Sequence, residues 1–177
     1  YFAHYFQEVR INSSDPVNVP GEILTKGPNV LLGYYKNEED TGQTIDKDGW
    51  FHTGDLGLMD EDGNVFIKGR SKNMLLGSNG QNIYPEEIED KLNSLPLVSE
   101  CLVIQSGEKL IALVHPDYDE AQNLGLNADD LKNIMEENRT QLNTIVPAYC
   151  KVAEIRIQEE EFEKTPKKSI KRFLYTE

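Results

Sequence analysis

Apolar positions change their spacing several times along the second half of the chain, and each change marks an element. Ile88, Leu92 and Leu95 recur at helical spacing behind Pro85, which suits a first helical position. Glu86 and Glu87 sit favourably near the positive end of that helix. Strands are predicted over 97–104 and 109–114, flanking the turn at Ser106-Gly107, as an antiparallel hairpin. Asn127, with Asp130 three residues on, resembles a capped helix start, and Leu131, Ile134, Met135 and Leu142 continue its apolar face. Ala153, Ile155 and Ile157 alternate with polar residues as a half-buried strand. Met74-Leu75-Leu76 reads as a short strand entering the loop Gly77-Ser78-Asn79-Gly80. The first half instead offers short strands and polar turns: strands at 5–11 and 22–25, a short helix at 38–45 and a turn at 46–49. A hairpin follows, turning at residues 60–63 and returning through Val65-Phe66-Ile67. The pattern weakens over 70–73, and the domain boundary is placed there. The class is α+β: short β-strands to residue 70, then a small domain, 71–177, with a mixed sheet covered by helices. The apolar stripes are core packing, not cofactor boxes.

Composition narrows the partners. At 177 residues the chain holds one domain or one and a half. With 38% hydrophobic residues and no apolar run of roughly 20 residues it reads as globular, cytoplasmic by default, with no membrane contact evident. The formal charge of −13 argues against nucleic acid, which is bound through clustered Lys and Arg. Positive charge gathers instead at Lys164, Lys167, Lys168, Lys171 and Arg172. Cys101 and Cys150 form neither a disulfide framework nor a metal-ligand spacing, and Cys101 reads as a buried strand thiol. His4, His52 and His115 are scattered and make no metal or catalytic constellation. Oligomeric state is not readable.

The most informative stretch is Gly49-Trp50-Phe51-His52-Thr53-Gly54-Asp55-Leu56-Gly57, closing on Gly69-Arg70-Ser71-Lys72. It sets one carboxylate between two glycines, where little bulk blocks a ligand, and a basic pair after a single hairpin. Asp55 can accept two hydrogen bonds from neighbouring hydroxyls, such as those of a ribose, and Arg70 can donate several in a fixed fork. The plainer alternative is a turn residue bonding its own backbone.

GEILTKGPNVLLGYYKN (21–37), DGWFHTGDLG (48–57), DEDGNVFIKGRSKNML (60–75) and GQNIYPEEIE (80–89) occur in order. Together they resemble consecutive signature segments of the adenylate-forming acyl-CoA synthetase superfamily. Within it the chain is most similar to bacterial long-chain fatty acid–CoA ligases. The resemblance implies that a fatty carboxylate attacks the α-phosphorus of ATP to give acyl-adenylate, and that coenzyme A then displaces AMP. It implies Mg2+ as well, bound mainly by a large N-terminal portion. No Ser/Thr/Gly/Lys-rich phosphate loop is seen here, so the chain is expected to be a fragment, inactive alone: the tail of the large domain (1–70) and the whole small domain (71–177). Other acids stay open, as in aryl acid ligases or carrier-protein loading enzymes, and so does a non-catalytic docking module of the same fold.

Carried over by position, the resemblance gives Asp55 and Arg70 to the nucleotide ribose and makes Lys72 the hinge about which the small domain turns. Gly80, with Gly77 and Asn79, falls in the loop near the pantetheine arm. The family commonly ends in Thr-Pro-x-Gly-Lys-x-x-Arg, whose lysine enters the adenylation site. Here the segment reads Lys164-Thr165-Pro166-Lys167-Lys168-Ser169-Ile170-Lys171-Arg172, so Lys168 stands for the glycine and Ser169 for the lysine. A short neutral serine cannot supply a mobile positive charge. Lys168, or Lys171, is therefore the expected catalytic lysine, set against a solvated basic tail that neutralises Glu159-Glu160-Glu161.

Overall fold

A computed structural model describes residues 8–176; the expected strand residues 5–7 and His4 lie outside the described residues. The chain folds as two compact units, Tyr1–Asn73 and Met74–Glu177.

The first unit is a four-stranded antiparallel sheet in chain order: β1 (Glu8–Asn12), β2 (Gly21–Lys26), β3 (Phe51–Met59) and β4 (Val65–Arg70). Helix α1 (Glu38–Thr44) starts at Asn37, whose side chain accepts from the Asp40 N–H. Asx geometry closes the tight turns. Asp46 Oδ1 accepts from the N–H groups of Asp48 and Trp50, each at 2.9 Å. These bonds, that of Trp50 foremost, hold the Asp46 carboxyl below its usual range. Trp50 lies under the Arg10 guanidinium, 4.2 Å from ring centroid to Cζ. Ile11, Ile23 and Leu24 are buried, whereas Leu32, Tyr35, Phe66 and Ile67 are exposed.

The second unit opens with a two-stranded hairpin that pairs β5 (Leu75–Leu76) with β6 (Asn82–Ile83), and α2 (Pro85–Leu92) follows. Its main sheet is three-stranded and mixed. Strands β7 (Val98–Ser106) and β8 (Lys109–Pro116) form the predicted hairpin. A crossover through α3 (Tyr118–Asn123) and α4 (Ala128–Ile145) brings β9 (Val152–Ile157) in parallel to β8. Helix α4 begins in the predicted capping box of Asn127 and Asp130. Helix α2 starts at Pro85 but stops at Leu92, so Leu95 is buried from the following turn rather than from the helix.

Both sheet faces are covered, which explains why Cys101-Leu102-Val103-Ile104 is apolar without alternation. Cys101 and Val103 pack with Ile88, Leu92, Met135 and Leu142 of α2 and α4. Leu102 and Ile104 pack with Ile111 and Phe162, and Ile170 and Tyr175 of the C-terminal segment lie against that cluster. The terminal segment is thus a layer of the domain, not a tail. Two of its lysines form their ion pairs with carboxylates other than the 159–161 acidic run: Lys164 Nζ lies 2.7 Å from Glu100 and Lys171 Nζ 2.8 Å from Glu163. The hydrogen bond from Lys164 to Glu100 holds the Lys164 ammonium pKa above its usual range. Burial pushes the Cys101 thiol up, in keeping with an inert strand position.

One expectation is corrected. Ala153 is exposed, because Leu110 pairs with Val152 and Ile111 with Glu154, which leaves Ala153 as a bulge. Val152 takes the inward place instead. The Asn143 side chain fixes this entry, donating to Val152 O at 2.9 Å and accepting from Val152 N–H at 2.8 Å.

The outer edge of β7 is closed by side chains. Glu89 Oε1 accepts from Val103 N–H at 2.6 Å, and Arg172 Nη1 lies 3.5 Å from Val103 O. Arg172 also binds the Glu89 carboxylate directly and sits 3.8 Å from Glu86. One ion pair therefore ties the terminal segment to α2 and blocks an open strand edge.

Candidate functional site

Asp55 and Arg70 are direct cross-strand partners on β3 and β4. Arg70 Nε lies 2.8 Å from Asp55 Oδ1. The pair is part-exposed, 31% for Asp55 and 54% for Arg70, so it contributes little to stability. Its value is chemical. Among the described residues, Asp55 Oδ2 and both terminal nitrogens of Arg70 have no hydrogen-bond or ion-pair partner. One acceptor and several donors stay open on a fixed frame, which suits vicinal hydroxyls.

A break in the β2–β3 ladder presents Asp55. Leu24 faces His52 and Glu22 faces Leu56, so Thr53, Gly54 and Asp55 together oppose Ile23 alone. Gly54 takes φ +72°, a left-handed value that a side chain would strain. Gly57 answers a different need: a Cβ there would sit 2.8 Å from Phe66 O and 2.9 Å from Ile23 Cδ1. The two glycines around Asp55 thus serve backbone twist and close strand packing respectively. Sequence reasoning missed the groups that support the break. Thr53 Oγ1 donates to Ile23 O at 2.8 Å and accepts from Asp55 N–H at 3.0 Å. Glu22 accepts from Gly54 N–H at 3.0 Å and meets His52 Nδ1 at 2.8 Å. No local signal carries this, since Glu22 is thirty residues upstream of His52.

The other candidates lie on other elements. Lys72 is exposed in a 3-10 turn, Ser71–Asn73, at the end of the first unit. Gly80 closes the turn between β5 and β6, where its N–H donates to Gly77 O at 2.8 Å. Beside that turn the second unit carries a cleft of about 470 Å³, lined among others by Gly77, Ser78, Asn79, Lys109, Tyr149 and Lys151; Gly80 is not in its wall. Lys168 stands in a hairpin turn: Lys168 N–H donates to Thr165 O and Thr165 N–H to Ser169 O, each at 2.8 Å. Its φ is +62°, in the left-handed region. It is exposed and makes no ion pair among the described residues, whereas Lys171 is held by Glu163. Among the described residues no three His, Cys, Asp or Glu side chains are grouped to hold a metal ion. No described helix is long and apolar enough to cross a membrane.

A strand-borne carboxylate–guanidinium pair, followed by a small mixed-sheet domain closed by a Thr-Pro turn, defines a class. Residues 72–177 match the family described as AMP-binding enzyme C-terminal domain, and the chain belongs to that family, within the adenylate-forming superfamily. A probable acyl-activating enzyme 9 from Arabidopsis thaliana is 38% identical over 165 residues, which cover 90% of this chain and 28% of that protein. A 2-succinylbenzoate–CoA ligase from Bacillus cytotoxicus is 48% identical over 94 residues, 53% of this chain and 19% of that protein. The structure of O-succinylbenzoate coenzyme A synthetase from Bacillus subtilis, in complex with AMP, is also similar. It superposes with a TM-score of 0.71 at 25% identity, covering 96% of this chain and 33% of that one. The chain thus spans less than a third of the length of the two curated relatives.

Proposed function

We propose that this chain is the C-terminal part of an acid–thiol ligase that converts a carboxylate and ATP to an acyl-adenylate and then passes the acyl group to coenzyme A. The observation that carries the reading is the Asp55–Arg70 pair, held at 2.8 Å with open hydrogen-bonding groups on both partners. In this role Asp55 Oδ2 accepts from the ribose hydroxyls and the Arg70 terminal nitrogens donate to the same sugar, fixing the nucleotide while the α-phosphorus is attacked. Lys168 brings a mobile cation to the charge that grows on the phosphate, a task preorganised charge performs well. Its freedom from ion pairs among the described residues favours it over Lys171, whose ammonium would first have to leave Glu163. Lys72 absorbs the backbone rotation by which the small domain serves the two half-reactions in turn. The cleft beside Gly77–Gly80 carries Lys109 and Lys151 in its wall, against one carboxylate, Glu108, and these two lysines are the groups to meet the phosphates of coenzyme A. The apolar side chains exposed on the first unit support a further covering surface, in keeping with the tail of a larger domain.

For the acid, the names of the relatives favour an aryl substrate such as a succinylbenzoate. The long-chain fatty acid implied by the signature segments is the second reading, and a panel of acids in an adenylation assay separates the two. A docking module is the rival of another class, favoured by Ser169 alone. Titrating the chain with AMP decides between them: Asp55→Ala should weaken binding by roughly 1.5–3 kcal/mol, the worth of charge-assisted hydrogen bonds. An unchanged dissociation constant would remove the ribose role.

A further inference from the structure

Three residues of β3 face one residue of β2, yet the break is bonded from within rather than left to solvent. On the side of β2, Gly54 and Asp55 have no register partner, and side chains take up their N–H groups. Asp55 N–H is taken by the Thr53 hydroxyl, which is itself tied to Ile23 O. Gly54 N–H is taken by Glu22 Oε1, from the opposite strand. The second oxygen of the same carboxylate holds His52 Nδ1, the last regularly paired residue before the break. Glu22 therefore grips the distorted segment at two successive points, at 3.0 Å and 2.8 Å, and its side chain is three-quarters covered. The surrounding charges steady this grip. His52 Nε2 lies 3.9 Å from Asp46, which in turn lies 4.0 Å from Arg10.

We infer that Glu22 is the positioning residue of the nucleotide site: it fixes the bulge that aims Asp55 at its ligand, without touching that ligand. This rests on the ribose reading given above. Gly54 supplies the conformation, but a left-handed glycine has many alternatives, and a single part-buried acceptor selects one. Without Glu22 the Gly54 amide loses its partner, and pairing of β2 with β3 can slide to recover ladder bonds. A slide of two residues displaces the strand by about 6.6 Å, enough to carry Asp55 away from Arg70.

Glu22→Gln and Glu22→Leu, made in the full chain, test this. Gln keeps an acceptor for Gly54 and a polar group within reach of the His52 ring; Leu keeps volume alone. Hydrogen exchange reports the Gly54 amide directly, and AMP titration followed at Asp55 and Arg70 reports the site. Glu22→Leu should speed Gly54 exchange and weaken AMP each about tenfold, leaving the β7–β8 amides at their native rates, while Gln restores both to within about threefold. Native exchange at Gly54 in Glu22→Leu, or a Gln variant no better than Leu, overturns the proposal. If Leu unfolds the first sheet, His52→Leu is decisive: it removes the second grip, and unaltered Gly54 exchange there counts against the proposal. Failure of the nucleotide reading has another signature, namely that AMP leaves Asp55 and Arg70 unmoved in the native chain.

Discussion

Replacing Arg172 by Met should be among the most damaging single changes in the second unit. Glu89 is only 8% exposed and has two partners, the Val103 N–H and the Arg172 guanidinium. Removing the guanidinium leaves a buried carboxylate with one neutral donor, a situation that costs about 3–5 kcal/mol. The lost contact to Val103 O, at 3.5 Å, and the part-exposed neighbour Glu86, at 3.8 Å, add little. Glu89→Met alone should cost less, about 1–3 kcal/mol, because it strands one amide and leaves Arg172 beside Glu86. The double Met variant should be more stable than Arg172→Met, since apolar replacement of a whole buried pair is often close to neutral. Acidity supplies an independent check. Burial raises the Glu89 pKa, against the opposing pull of Arg172, so the folded state keeps this proton to higher pH than the unfolded chain. The group's contribution is then complete below the unfolded carboxylate pKa, about 4.3, and declines as pH rises through the folded value. The loss caused by Arg172→Met should accordingly shrink as pH falls toward that point. Urea unfolding followed by helical ellipticity reads the second unit, which holds α2, α3 and α4, and Trp50 fluorescence serves as an unmoved control in the first. A loss below about 1 kcal/mol, or a double variant worse than the sum of the singles, would refute the argument.

Lys168→Gly should stabilise the second unit by about 0.5–1 kcal/mol while Lys168→Ala does not, because only glycine relieves a left-handed backbone; equal midpoints for the two would deny the strain. In the ligase, Lys168→Ala should slow acyl-adenylate formation more than thioester formation from preformed adenylate, and equal effects would take Lys168 off the catalytic list. Gly57→Ala should cost about 1–3 kcal/mol in the first unit, through the clash with Phe66 O and Ile23, read as an earlier Trp50 fluorescence transition; an unmoved midpoint would mean that the strands part freely.

Elements with a local cause were readable from sequence, and those with a distant cause were not. Pro85 and the Asn127–Asp130 box announce α2 and α4 because a helix end is decided within one turn. Helix α3 escaped, since six residues with Ala121 as their one buried side chain show no period. The bulge at Ala153 was invisible because the partner that holds the neighbouring Val152, Asn143, lies on another element. At the candidate site, the residues that would touch a ligand stood out by type and spacing. The residues that shape their setting did not: Glu22 and Ile23 act on Thr53 and Gly54 across a strand pair.

The C-terminal turn shows how structure and sequence constrain each other. Sequence alone offers two registers: an ungapped one, with Lys168 in the motif's glycine place and Ser169 in its lysine place, and a shifted one that restores the lysine. A shift by one would move the left-handed position onto Lys167 or Ser169, yet the positive φ falls on Lys168, within the hydrogen bonds from Lys168 to Thr165 and from Thr165 to Ser169. Proline at the first corner and a left-handed residue at the third are the requirements of a three-residue hairpin loop, and glycine is the residue that meets the second without strain. A lysine that accepts glycine's conformation, at about 1–2 kcal/mol, favours the ungapped register and asks for a compensating use. The exposed ammonium of Lys168, without an ion pair among the described residues and one residue ahead of the motif's usual charge, would provide one in the proposed adenylation role.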